Sequence, residues 1–137
     1  MSQSAEAAYL LKSRGVSNDL GAFVVAARFS QDGRRVAFAL GDGTIHIAGM
    51  GGAEAWVSAK VHDGSVLTVA SDPAGDGFVS GGDDGKLNRL AADGTVSELA
   101  DFGMKWVEHV ATHALDKGKG LIAASAGKIV RLFDQSG

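Results

Sequence analysis

The sequence predicts an all-β chain of repeated four-stranded antiparallel sheets. Three observations carry this. There are 20 glycines in 137 residues against one proline, about twice the average glycine share, and most stand in short turns. Between the turns lie short apolar runs rich in Val, Leu and Ile, the signature of strands. A spacing of 42 residues recurs along the chain. No segment sustains the apolar period of a helix; only Glu6–Lys12 could be helical, and it is short.

The repeat is read from its turns. Leu40-Gly-Asp-Gly-Thr-Ile45, Gly82-Asp-Asp-Gly-Lys-Leu87 and Ala124-Ser-Ala-Gly-Lys-Ile129 share a turn-then-apolar pattern, and Gly43, Gly85 and Gly127 stand 42 residues apart. Gly33 falls on Gly75, Gly51-Gly52 on Asp93-Gly94, and Val57 on Leu99. Val24, Val25 and Ala27 fall on Val66, Leu67 and Val69, and Ile45 falls on Leu87 and Ile129. Several kinds of position obeying one spacing mark a repeat architecture.

Taken in chain order, the frame first sets residues 8–15 as a strand: the fourth strand of the first unit, Ala53–Val57, moved back one repeat, lands on Leu11–Gly15 beside Tyr9-Leu10-Leu11. That strand would be the outer edge of a neighbouring sheet. The first unit spans 16–58, the second 59–100 and the third 101–137, all within one domain over 1–137. In the second unit the strands are Val66–Ser71, Gly77–Gly81, Lys86–Leu90 and Thr95–Ala100. Asp84-Gly85 and Asp93-Gly94 supply the positive φ of tight hairpins. The third unit ends on a third strand, Val130–Asp134, and lacks its fourth. One four-stranded sheet cannot bury both its faces alone, so copies must stack. Four strands per 40–45 residues is the spacing of a β-propeller blade. Three blades fall short of a ring of about four to eight. The expectation is therefore a propeller part completed by further sequence, by another chain, or by a second copy exchanging its Tyr9–Leu11 strand.

Composition narrows the work the chain can do. Hydrophobic residues at 45% and charged residues at 21% are ordinary for a globular chain. A formal charge of −3 disfavours nucleic acid or an anionic membrane surface as partner, and no apolar run approaches a membrane span. The absence of cysteine excludes disulfides and thiolate chemistry. The first residues show no basic-then-apolar leader, which favours the cytoplasm.

On this frame, particular residues resemble those of the WD-repeat propellers. His62-Asp-Gly-Ser-Val66 is similar to the family's glycine-histidine opening, and Ser80-Gly-Gly-Asp-Asp84-Gly85 to its hairpin. Phe29-Ser-Gln-Asp-Gly33 resembles its phenylalanine-serine-proline-aspartate-glycine turn. Val130-Arg-Leu-Phe-Asp134 resembles its tryptophan-aspartate ending, with Phe133 in place of tryptophan. The resemblance implies a structural hydrogen-bond set of His62, Ser80 and Asp84 inside the second blade, with Leu90 where the tryptophan would stand. Leu20 and Met104 fall opposite His62, and Asp42 and Ala126 opposite Asp84, so the blades diverge.

No convergent catalytic set emerges. Asp72, Asp76, Asp83 and Asp84 lie in glycine-containing turns, where aspartate caps its own turn. His109 and His113, four apart, share a strand face but lack a third ligand. No catalytic residue, metal ligand or cofactor motif is assigned. The expected function is a non-enzymatic scaffold binding a protein or peptide through rim loops, at Trp106, Lys105, His62 and Arg28. The alternative is a propeller enzyme or small-ligand binder whose site other blades complete.

Overall fold

The computed structural model describes residues 17–49 and 56–136, which form eleven strands and a single 3-10 turn at Asp116–Gly118. The strands are β1 (Val24–Phe29), β2 (Arg35–Leu40), β3 (Thr44–Gly49), β4 (Trp56–Lys60), β5 (Val66–Ser71), β6 (Phe78–Gly82), β7 (Lys86–Leu90), β8 (Val96–Asp101), β9 (Val107–Ala114), β10 (Gly120–Ala126) and β11 (Ile129–Asp134). They make three antiparallel sheets, β1-β2-β3-β4, β5-β6-β7-β8 and β9-β10-β11, each a chain of hairpins in sequence order. The first strands lie beside one another, β1 against β5 and β5 against β9. The sheets therefore stack face to face with their first strands together, as in part of a propeller; the ring is not closed.

Residues directly opposite in an antiparallel pair share a sheet face, so the register shows which side chains each sheet presents. Ala37 and Ala39 of β2 stand opposite Ile47 and Ile45 of β3. This face packs against Val66, Val69, Phe78 and Leu90 of the second sheet in one buried cluster. The other face of the second sheet, with Val79 and Leu87, packs on Val107, Ile122, Ala124 and Ala126 of the third. The middle sheet is covered on both sides, and all of β6 is buried. That is why β6 is narrow: a Cβ at Gly81 would press into Val107 of β9. Burial of each large side chain here stabilises by about 1.5–3 kcal/mol.

Polar links join the same sheets. Arg89 Nε donates to Asp72 Oδ2 at 2.6 Å, and its guanidinium also reaches the Gln135 carbonyl of the third unit. Arg35 and Asp76 pair at 3.2 Å on the surface. Exposed pairs contribute little, so Arg35→Ala is expected to change stability by less than about 1 kcal/mol in urea unfolding.

The structure corrects the repeat frame in three places. The fourth strand of the first sheet is Trp56–Lys60 and runs past residue 58, because β4 pairs with β3 from Trp56 opposite Ala48 to Lys60 opposite Thr44. Likewise β8 reaches Asp101. Ile129 does not share the place of Ile45 and Leu87. The third hairpin closes with Ala126 opposite Ile129, whereas Ala39 stands opposite Ile45 and Gly81 opposite Leu87 across longer turns. Gly127, at φ 60°, supplies the left-handed first position of this two-residue turn. The shorter turn shifts the register by an odd number of residues, which exchanges the faces of β11. Phe133, opposite Ile122, turns inward, and Val130 and Leu132 turn outward. The strand expected over 8–15 lies outside the described residues, as does the start of the expected Ala53–Val57.

Candidate functional site: a closed hydrogen-bond chain and its rim

At one end of the sheets, each loop leading into a first strand is tied to hairpins. Gly41 N–H donates to Phe23 O at 2.9 Å, and Asp83 N–H donates to Ser65 O at 3.1 Å. Val61 and His62 N–H groups reach back to Gly43 O, and Phe102 N–H to Gly85 O at 2.7 Å. Gly85 has φ 80°, and a Cβ there would collide with the Gly103 carbonyl. Glycine is required at this point both for backbone angle and for space.

Beneath this rim lies His62. Its Nδ1 is 2.9 Å from Asp84 Oδ1, and its Nε2 is 2.8 Å from Ser80 Oγ. With Nδ1–H donating to the carboxylate, Nε2 accepts from the Ser80 hydroxyl. Asp84 also accepts from Asp63 N–H at 3.0 Å and Lys86 N–H at 3.1 Å. Burial raises the Asp84 carboxyl, but the Asp63 N–H, the His62 ring and the Lys86 N–H outweigh it. The net effect holds Asp84 below the ordinary aspartate value of 3.8.

A hydroxyl, an imidazole and a carboxylate in this order are the elements of nucleophilic hydrolysis. Access decides against that use. His62 is 1% exposed and Ser80 is 0% exposed, so no substrate carbonyl can reach the hydroxyl in this arrangement. The set joins the loop before β5 to β6 and the β6–β7 hairpin, a structural task. Asn88, opposite Ser80, adds a bond from Nδ2 to Val61 O at 2.7 Å, and its Oδ1 is buried without a partner. The sequence reading did not single out Asn88; alternation along β7 on the Ser80 side would have pointed to it.

The expected rim residues divide. His62 is corrected: its ring is buried and both nitrogens are engaged, so it offers nothing to a partner. Trp106 is 55% exposed, Lys105 is exposed beside it, and Met104, which the sequence reading left out, is 98% exposed. Phe102 and Val107, buried on either side, anchor this loop. Arg131 stacks 4.3 Å above the Phe102 ring. Arg28 is exposed on β1 opposite Ala37, away from the Trp106 loop in sequence and sheet. Trp56 lies in an outer strand, stacked on Phe38 at 5.8 Å. His109 and His113 lie opposite Ser125 and Leu121 on the outward face of the third sheet. Among the described residues, no three His, Cys, Asp or Glu side chains gather to hold a metal ion, and no helix is long and apolar enough to cross a membrane.

Residues 57–88 match the WD domain, G-beta repeat family. The match contains His62, Ser80 and Asp84 and ends at Asn88. WD repeats generally mediate protein–protein interaction and are typically non-enzymatic. Compared with curated proteins, the chain has no significant match.

Proposed function

We propose, starting from a chain that is a WD-repeat protein, that it acts as a non-enzymatic scaffold binding a protein or peptide through the rim loop 102–106. The observation that supports this reading is the contrast within one loop: Met104 and Trp106 are held out at 98% and 55% exposure between the buried anchors Phe102 and Val107. A backbone pinned at both ends displays an aromatic and a flexible thioether at low ordering cost, the composition of an interface hot spot. The reactive-looking trio is meanwhile closed inside the blade. On the propeller reading, a closed ring needs sheets beyond the three that the described residues form.

The test uses the double variant Met104→Ser, Trp106→Ala, whose side chains support no core. The expected result is loss of a stoichiometric partner that the wild-type chain retains from its source cells, with at least a tenfold weaker affinity for the purified partner and an unchanged melting temperature. Equal retention by both chains would overturn the rim assignment.

A further inference from the structure

Six aspartates are followed directly by glycine: Asp32, Asp42, Asp63, Asp76, Asp84 and Asp93. In such a pair the backbone can react with its own side chain. The glycine nitrogen attacks the aspartate Cγ, a five-membered succinimide closes and water leaves. Water then reopens the ring at either carbonyl, giving back aspartate or leaving isoaspartate, whose main chain runs through Cβ. One water is released and one is taken up, so the change needs no oxidant and no cofactor. Glycine favours it because no Cβ screens the nitrogen. The fold decides which of the six dipeptides reacts, since the nitrogen must be free of an acceptor and the carboxyl free to swing onto it.

Four of the six are held on both counts. The N–H groups of Gly33, Gly43, Gly85 and Gly94 donate to Ser30 O, Leu40 O, Gly82 O and Ala91 O at 2.9–3.3 Å. The carboxylates of Asp32, Asp42, Asp84 and Asp93 accept from the N–H two residues on, at Arg34, Thr44, Lys86 and Thr95. That local bond is what suits aspartate to a turn. Asp76 is held by its pair with Arg35 at 3.2 Å, and Gly77 is buried, with Leu90 O where a Cβ would stand. Asp63-Gly64 is the exception. Both residues are exposed. Among the described residues, neither the Asp63 carboxylate nor the Gly64 N–H has a hydrogen-bond partner; the bonds of this loop use the N–H groups on either side. Asp63 N–H donates to Asp84 Oδ2 and Ser65 N–H to Asp83 Oδ1, both at 3.0 Å.

We propose that Asp63 is the site at which this chain forms isoaspartate. Its position gives the change a structural consequence. The added main-chain carbon falls between Asp63 Cα and Gly64 N, inside the stretch clamped by those two bonds. Gly64 already lies so close to the Asp83 carboxylate that a Cβ would collide with it. The loop therefore takes up the extra length by releasing the bond from Asp63 N–H to Asp84, and with it part of the closure around His62.

The experiment ages the 137-residue chain in water enriched in heavy oxygen at neutral pH, folded and in concentrated urea. Each passage through the succinimide leaves one heavy oxygen, and electron-transfer fragmentation of the peptides places both the label and the β-linkage among the six sites. In the folded chain Asp63 is expected to exceed each of the others by about fivefold, the factor supplied by one hydrogen bond that must open first. In urea the six are expected to label alike. Asp63→Glu keeps the charge but cannot close the five-membered ring, so label at this position is expected to vanish and the rest to stay as in wild type. Aged wild type is expected to melt below its fresh sample, and aged Asp63→Glu to melt as fresh. A different leading site, or the same ranking folded and in urea, would overturn the assignment. Unchanged melting of wild type carrying the β-linkage at Asp63 would overturn its effect on the His62 closure.

Discussion

His62→Ala is expected to destabilise the chain by about 2–4 kcal/mol, the cost of stranding a buried hydroxyl and a partly buried carboxylate and leaving a void. In melting temperature that is a fall of roughly 10 °C for a chain of this size. Ser80→Ala removes one donor and leaves His62 paired to Asp84 at 2.9 Å, so about 1 kcal/mol is expected. Acid sharpens the distinction. Asp84 in the folded chain lies below the usual 3.8, so the stability it contributes is present above about pH 4 and is lost as pH falls through the folded value. Asp84→Asn is expected to be less stable than wild type at pH 7 and to lose less than wild type between pH 4 and pH 2.5. Urea midpoints at the three pH values check this; parallel curves for the two chains would show that the trio carries no such linkage.

The second unit was legible because its local signals agree with each other. Alternation, Asp84-Gly85 and the histidine ahead of the first apolar run all place the same four strands, and β5 and β7 fall at Val66–Ser71 and Lys86–Leu90 as expected. The third unit misled where one turn changed length. The frame carried Ile129 onto Leu87, but a two-residue turn needs only Gly127 at positive φ, and Ala-Gly-Lys satisfies it as readily as a longer loop. A period counted along the chain is blind to which face a strand shows once a turn shortens by an odd count. The outer strands slip for a related reason. Their pairing is on one side only, so Trp56 opposite Ala48 is set by β3 and not by the spacing from Glu98.

The candidate site divides along the same line. Bonds between side chains at fixed repeat positions, such as His62 to Asp84, could be carried over from the residues that resemble a known family. Exposure could not, because it depends on what lies over a residue. The sequence offers His62 both to the blade interior and to the rim; its backbone N–H bond to Gly43 O and the ring's own two bonds leave only the first. Met104 falls on a histidine position of the repeat frame, yet it is 98% exposed while Phe102, two residues before it, is buried.

Phe78→Ala is expected to have the largest effect of any single side-chain truncation in the first interface, about 3–5 kcal/mol. Phe78 is 0% exposed and is the largest fully buried side chain of the chain's described residues. It stands opposite Leu90 on one side and Ser71 on the other, at the centre of the cluster that unites the first two sheets. Backbone hydrogen bonds of β6 to both neighbours hold the surrounding strands in place, so they cannot collapse into the void and the cavity persists. Leu132→Ala supplies the contrast, since Leu132 is 79% exposed on the outward face of the third sheet. In the isolated chain its truncation is expected to cost less than about 0.5 kcal/mol. Urea unfolding at low protein concentration separates the two, with tryptophan fluorescence following Trp56 in the first sheet. A cost for Phe78→Ala no larger than that for Leu132→Ala would mean that the first sheet does not pack on the second, and the stacking of blades would fall with it.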